Sequence, residues 1–125
     1  MKLDHVNISA PISLLEKDKI FLCTVFNLKE GFRPKLSFFG YWLYSGEQAI
    51  IHLSESNNHC VSDKPFYLDH VAFQMEGLST FIALLTKHKI TYQKKYQEET
   101  RLTQIFLNTP SGVKFEVGFK NEPFD

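Results

Sequence analysis

Apolar and polar residues alternate along residues 4–10, where His5, Asn7 and Ser9 oppose Val6, Ile8 and Ala10. The alternation returns at residues 69–75, where His70, Ala72 and Gln74 oppose Val71, Phe73 and Met75. A period of two predicts strands, each with one apolar face. Each strand is followed by a helical stretch. The first, residues 12–26, has Leu15, Leu22, Val25 and Phe26 on an approximate stripe, and Asn27 then offers a left-handed end. The second, residues 78–88, carries Leu78, Phe81, Ile82 and Leu85, and closes on Lys87, His88 and Lys89, which suit a helix C-terminus.

Three extended segments follow each helix. They are expected at 29–34, 37–44 and 48–54, and again at 91–97, 103–108 and 113–119. "SGEQ" and "TPSG" separate the last two segments of each set and read as hairpin turns. The tetrapeptide "LDHV" opens both halves, at 3–6 and 68–71. The chain therefore reads as an internal repeat of β-α-β-β-β. The predicted class is α+β, one domain over residues 1–125. Its two tandem modules are expected at 1–57 and 66–125, with a linker at about 58–65 in the polar stretch "ESNNHCVSDKP". Neither module is large enough to be comfortable alone, so two halves of one domain are expected to share a core.

Composition narrows the function classes. The 14 basic and 14 acidic residues balance, so the basic footprint of a nucleic-acid partner is missing. Apolar runs are too short for a membrane span. The opening "MKLDHVNISAP" is charged and polar where a signal peptide is apolar, which predicts a cytoplasmic protein with Cys23 and Cys60 as reduced thiols. The two cysteines lack the spacing of a zinc knuckle or a redox pair.

The polar strand faces carry the candidate chemistry. His5 and His70 lie on the first strand of each module. On the last strands, His52 and Ser54 oppose Ile51 and Leu53, while Lys114, Glu116 and Gly118 oppose Phe115, Val117 and Phe119. The offset from His5 to His70 matches that from His52 to Glu116 within one residue. Imidazole and carboxylate together suit Zn, Ni, Mn, Co or Fe(II). His59, next to Cys60, reads as a solvated loop residue, and His88 as a helix-end residue.

The segments "LDHVNISAP", "VFNLKEG", "GYWLYSGEQAIIHL", "LDHVAFQ" and "NTPSGVKFEV" span nearly the whole chain, and together they resemble the vicinal oxygen chelate superfamily. That superfamily includes glyoxalase I, fosfomycin-resistance transferases, extradiol dioxygenases, methylmalonyl-CoA epimerase and bleomycin-resistance proteins. "VFNLKEG" is similar to the family's "VLGLxxG", with Asn27 in place of a glycine. "NTPSGVKFEV" is similar to its "DPDG…(I/L)E(L/F)" ending, with Asn108, Thr109 and Ser111 where acids are usual.

The resemblance implies two βαβββ modules forming a glyoxalase-like half-barrel cleft. It places the metal ligands at His5, His52, His70 and Glu116, the four positions the strand faces already indicate. It implies a divalent metal acting as a Lewis acid on a small, oxygen-rich substrate. Glu116 is then a ligand or a general base. His52 departs from glyoxalase I, which carries Glu or Gln there; it is a fourth ligand, a proton carrier or a neighbour of the ligands. Arg33, Arg101 and Gln104 are candidate substrate contacts, as is one of the two faces of "GYWLY", bearing Tyr41 or Trp42. The reaction stays open among isomerase or lyase, thiol transferase and dioxygenase. The other reading is a metal-free binding protein of the bleomycin-resistance type. A homodimer is implied in either case.

Overall fold

The computed structural model describes residues 2–58, 68 and 70–124. The chain forms two compact units, Met1–Asp63 and Lys64–Asp125. Residues 59–65 of the expected linker, His59 and Cys60 among them, lie outside the described residues, as does Asp69.

In the first unit, strand β1 (Val6–Ala10) leads into helix α1 (Ile12–Phe26), followed by β2 (Lys29–Gly31), β3 (Gly40–Ser45) and β4 (Gln48–Glu55). The sheet order is β1-β4-β3-β2. β1 runs parallel to β4, and the other pairings are antiparallel. The second unit repeats this plan with β5 (Val71–Gln74), helix α2 (Leu78–Lys87), β6 (Gln93–Gln97), β7 (Leu102–Asn108) and β8 (Lys114–Lys120). Its order is β5-β8-β7-β6, again with only the first pairing parallel.

The alternation predicted from sequence sets the two sides of each sheet. Ile8, Ala10, Leu43, Ile51 and Leu53 are buried in the first unit with Leu15, Leu22 and Val25 of α1. Ile105, Leu107, Phe115, Val117 and Phe119 are buried in the second with Phe81 and Leu85 of α2. The opposite faces keep the polar residues. α1 ends where expected, with Asn27 left-handed at φ 54°. The hairpins turn on Gly46 (φ 60°) and Gly112 (φ 92°), where glycine takes a positive φ at no steric cost.

Three expectations change. The segment expected at 29–34 is a strand only to Gly31, and the next begins at Gly40 rather than at residue 37. Pro34 has no N–H to give a ladder, and residues 32–39 form a loop instead. The stripe of α1 includes Asp18, which is fully buried between Leu15 and Leu22 on the core side. Among the described residues no helix is long and apolar enough to cross a membrane.

Candidate functional site

The polar face of the first unit is an aromatic stack. Trp42 and His52 are direct cross-strand partners, which brings their side chains close. Their rings stack at 4.0 Å with 10° between planes. His5, just before β1, stacks on His52 at 3.8 Å and 10°. Asn7, paired with His52 across β1 and β4, accepts a hydrogen bond from Ser54 Oγ at 2.7 Å.

This geometry bears on metal binding. An imidazole offers a metal its lone pair in the ring plane, at about 2.0–2.1 Å for zinc. Two parallel rings 3.8 Å apart aim their lone pairs along separate planes. In this stack, one ion is served by His5 or by His52, not by both. His5 is the one prepared for it: its Nδ1 lies 2.7 Å from Asp4 Oδ2, leaving Nε2 for an outside partner. A carboxylate on the far nitrogen is the common support of a metal-bound histidine. His5 holds the Asp4 carboxyl below its ordinary range, chiefly through this hydrogen bond. Asp4 was not among the sequence candidates, although the repeated Asp-His pair of "LDHV" was the signal for it.

His52 is held below the usual histidine range, first by partial burial and then by the neighbouring His5. Arg33 adds to this, so its charge reaches His52. Its Nη2 donates to the Phe38 carbonyl at 3.0 Å, and its Nε is buried with no hydrogen-bond partner among the described residues. Arg33 thus ties down the 32–39 loop. Tyr41 lies on the helix side, with Lys19 Nζ 4.1 Å from its ring centre. The choice left open by the sequence is settled: Trp42 shares the face of His52 and Tyr41 does not. Tyr44 is on the Trp42 side, its ring covering Gly31 and its hydroxyl donating to the Phe32 carbonyl at 2.5 Å.

The second unit places Glu116 opposite Ala72 and Phe106. These are the register positions of His52, Asn7 and Trp42 in the first unit. His70 stands edge-on to Phe106 at 6.5 Å and 89°. Gln104 shares this face and donates from Nε2 to Glu116 Oε1. Arg101 is elsewhere, left-handed in the β6–β7 turn with its Nε donating to Asn121 Oδ1 at 3.1 Å. It stands five positions before Phe106, about 16 Å away at the usual strand rise.

Among the described residues no group of three or more His, Cys, Asp or Glu is gathered as a metal cage. Each unit alone presents two of the expected donors, in residue types that suit a borderline divalent ion. Cys23 is a free thiol pushed upward by burial. It is therefore protonated near neutral pH and a poor nucleophile.

No protein-family model and no curated protein matches this chain. Solved structures do. A glyoxalase family protein from Bacillus anthracis is 21% identical with a TM-score of 0.77, over 96% of this chain and 95% of that one. The fosfomycin resistance protein FosX from Listeria monocytogenes, as a mutant complexed with Mn(II) and 1S,2S-dihydroxypropylphosphonic acid, is 15% identical with a TM-score of 0.74, over 95% and 92%. A glyoxylase/bleomycin resistance protein/dioxygenase domain from Frankia sp. is 14% identical with a TM-score of 0.75, over 96% and 98%. The chain has the two-module βαβββ fold of the vicinal oxygen chelate superfamily, as its sequence motifs imply.

Proposed function

We propose that this protein is a divalent-metal-dependent enzyme of the vicinal oxygen chelate type, acting on a small, oxygen-rich substrate. Its ligands are His5, His70 and Glu116. The observation that carries the reading is the shared register: His52 and Glu116 occupy the same position in the two modules, each beside an aromatic partner and on the face away from the helix. The FosX structure with Mn(II) supports the class of metal.

When bound, the metal supplies Lewis acidity toward substrate oxygens. The chain's own residues prepare its surroundings. Asp4 fixes the ring of His5 through Nδ1 and directs Nε2 outward. Gln104 holds one oxygen of Glu116 and leaves the other available. His52, kept neutral at physiological pH, is the group in position to accept a proton near His5.

The test is the metal content of protein purified without an affinity tag, alongside a His70→Ala, Glu116→Ala double variant. Near-stoichiometric Zn, Ni, Mn, Co or Fe in the wild type, and none in the variant, is the expected result. A wild type that stays metal-free after reconstitution overturns the proposal.

A second reading has its own observation. The Trp42–His52–His5 stack is a ready platform for a planar ligand, and it engages His5 without any metal. A metal-free binding protein of the bleomycin-resistance type would use it, and quenching of Trp42 fluorescence by such a ligand would reveal it. Either protein is proposed to be a homodimer. Sedimentation at the mass of one chain would exclude that.

A further inference from the structure

The loop between β2 and β3 carries chemistry that neither reading uses. Residues 32–39 include two cations, Arg33 and Lys35, and no acid. Residues 33–40 line an open hollow of about 420 Å³, in which Phe38 and Phe39 stand about half exposed. A guanidinium is a fork of N–H donors. Among the described residues Arg33 uses that fork once, on the Phe38 carbonyl at 3.0 Å, and its buried Nε has no hydrogen-bond partner. Neither Arg33 nor Lys35 belongs to an ion pair among the described residues. Of the acids on the neighbouring strands, Glu30 is held by Lys19 at 3.0 Å, and Glu55 follows Leu53 on the helix side of β4 by strand alternation.

We infer that this hollow is a binding site for a small organic oxyanion, a carboxylate or a phosphonate, held by Arg33 and Lys35. Buried polar groups find partners, and a donor left over beside a concavity points to a ligand that supplies one. Two cations in a hollow with no acid among its described lining residues draw an anion there. The Arg33 fork has the right shape, since a planar guanidinium meets such an anion through paired N–H···O bonds. It is also set in advance. The Phe38 carbonyl fixes one end, and the Phe38 ring centre lies 5.2 Å from Cζ, within cation–π reach. Little side-chain freedom is then lost on binding. Lys35 brings the second charge and Ser37 a hydroxyl. Phe38 and Phe39 offer apolar surface to a carbon skeleton, which favours an organic acid over an inorganic ion. An anionic lipid surface would also suit exposed rings, but it needs no fork pinned beside a concavity. Gly40 closes the loop and pairs with Ser54, two positions from His52 on β4. The acid held here thus sits beside the candidate site, and small organic acids become the substrate class; this last step alone rests on the proposed function.

The experiment uses metal-free protein, treated with EDTA and dialysed, at constant ionic strength set with sodium chloride. Its probes are benzoate, phenylphosphonate and the uncharged benzamide. Backbone amide NMR shifts are followed in wild type, Arg33→Gln, Lys35→Gln and, as a charge-matched control on α1, Lys17→Gln. Saturable shifts at residues 33 and 35–40 are expected with at least one of the two acids, and benzamide should bind about tenfold more weakly or not at all. Acid binding should weaken about tenfold or more in Arg33→Gln, as loss of a charged hydrogen-bond donor requires, and severalfold in Lys35→Gln. Lys17→Gln should match the wild type. No saturable shift with either acid overturns the inference, as does benzamide binding as tightly as benzoate and phenylphosphonate. Unchanged binding in either folded variant overturns it too; Lys35→Gln leaves the Arg33 anchor of the loop in place, so the test survives if Arg33→Gln does not fold. Co-sedimentation with phosphatidylglycerol vesicles, without binding of either free acid, reassigns the loop to a lipid surface and overturns the small-ligand site. The metal assay is independent: acid binding without metal loading sinks the proposed function and keeps this site, and the reverse result does the opposite.

Discussion

Trp42 and His52 face each other across β3 and β4 with their rings 4.0 Å apart and nearly parallel. The indole removes water from one side of the imidazole, and burial is the largest cause of the lowered His52 pKa. In Trp42→Ala the His52 pKa should move up toward the ordinary histidine value of about 6.5. An NMR titration of the His52 ring protons reads this directly. The sign of the linked stability follows. The unfolded chain takes up a proton near the ordinary histidine value, while folded His52 resists until the pH is lower. This group's contribution to stability is therefore complete above about pH 6.5 and is lost as the pH falls from there toward the folded value. Thermal unfolding of the wild type should show this loss, and Trp42→Ala should flatten it. An unchanged His52 titration in the variant would falsify the link.

Gln104 and Glu116 are joined by a side-chain hydrogen bond on the same face. Where a carboxylate ligates metal, the role proposed for Glu116, loss of a partner of this kind costs about 10–100-fold in metal affinity. Gln104→Leu keeps the volume and removes the donor. It should weaken metal binding by that factor, measured by competition with a chromophoric chelator, with little change in the unfolding midpoint. A variant that holds metal as tightly as the wild type would show that Gln104 does not orient Glu116.

The faces on which the candidate residues lie were legible because they rest on strand alternation. His5, His52, His70 and Glu116 were placed by a period of two, and a repeat sets each reading against its twin. Tyr41 and Trp42 were not separable in this way, because an aromatic residue suits either side of a half-buried strand. Only the cross-strand register, Trp42 against His52, decides. Asp18 was missed because an acid interrupts an apolar stripe, although Leu15, Asp18, Leu22 and Val25 all lie on the buried side of α1. Residues 32–34 and 37–39 were read as parts of two extended segments, while in the structure Arg33 holds the whole 32–39 loop closed through the Phe38 carbonyl.

Gly40 shows how closely that loop is fitted. A Cβ at this position would stand 2.0 Å from the Leu53 carbonyl oxygen and 3.2 Å from Arg33 Nη2. The first contact is with backbone, so no rotamer change relieves it. Gly40→Ala should destabilise the protein by about 2–3 kcal/mol, in the range of forced overpacking. It should also displace the loop, and with it the Arg33 charge near His52. Urea unfolding measures the first effect and the His52 titration the second. A fully stable Gly40→Ala protein would mean that β3 and β4 yield more easily than their register suggests.

The helix under the second polar face depends on a residue far from it in sequence. The N-cap of α2 is Gly77, which has no side chain to cap the exposed N–H groups. Glu122, beyond the end of β8, supplies the cap. Its carboxylate accepts from Gly77 N at 3.1 and 3.2 Å and from Leu78 N at 2.8 Å. A negative charge there also complements the helix dipole. Thr103, fully buried in β7, anchors the same residue by donating from Oγ1 to the Glu122 carbonyl at 2.6 Å. Glu122→Ala removes acceptor and charge together and should cost about 1–2 kcal/mol. Glu122→Gln keeps an acceptor and should lose less, about 0.3–1 kcal/mol. Thr103→Val leaves a half-buried carbonyl without its donor and should cost about 1–3 kcal/mol. In urea, each should lower the midpoint with an unchanged slope, since the surface exposed on unfolding is the same. The Glu122 and Thr103 effects should be less than additive, because both act through one cap. Leu78, Phe81 and Leu85 of this helix are buried in the second unit, so a loosened cap should also broaden the amide signals of β8 around Glu116. Additive losses with an undisturbed β8 would reduce Glu122 to an isolated surface contact and sever it from the site.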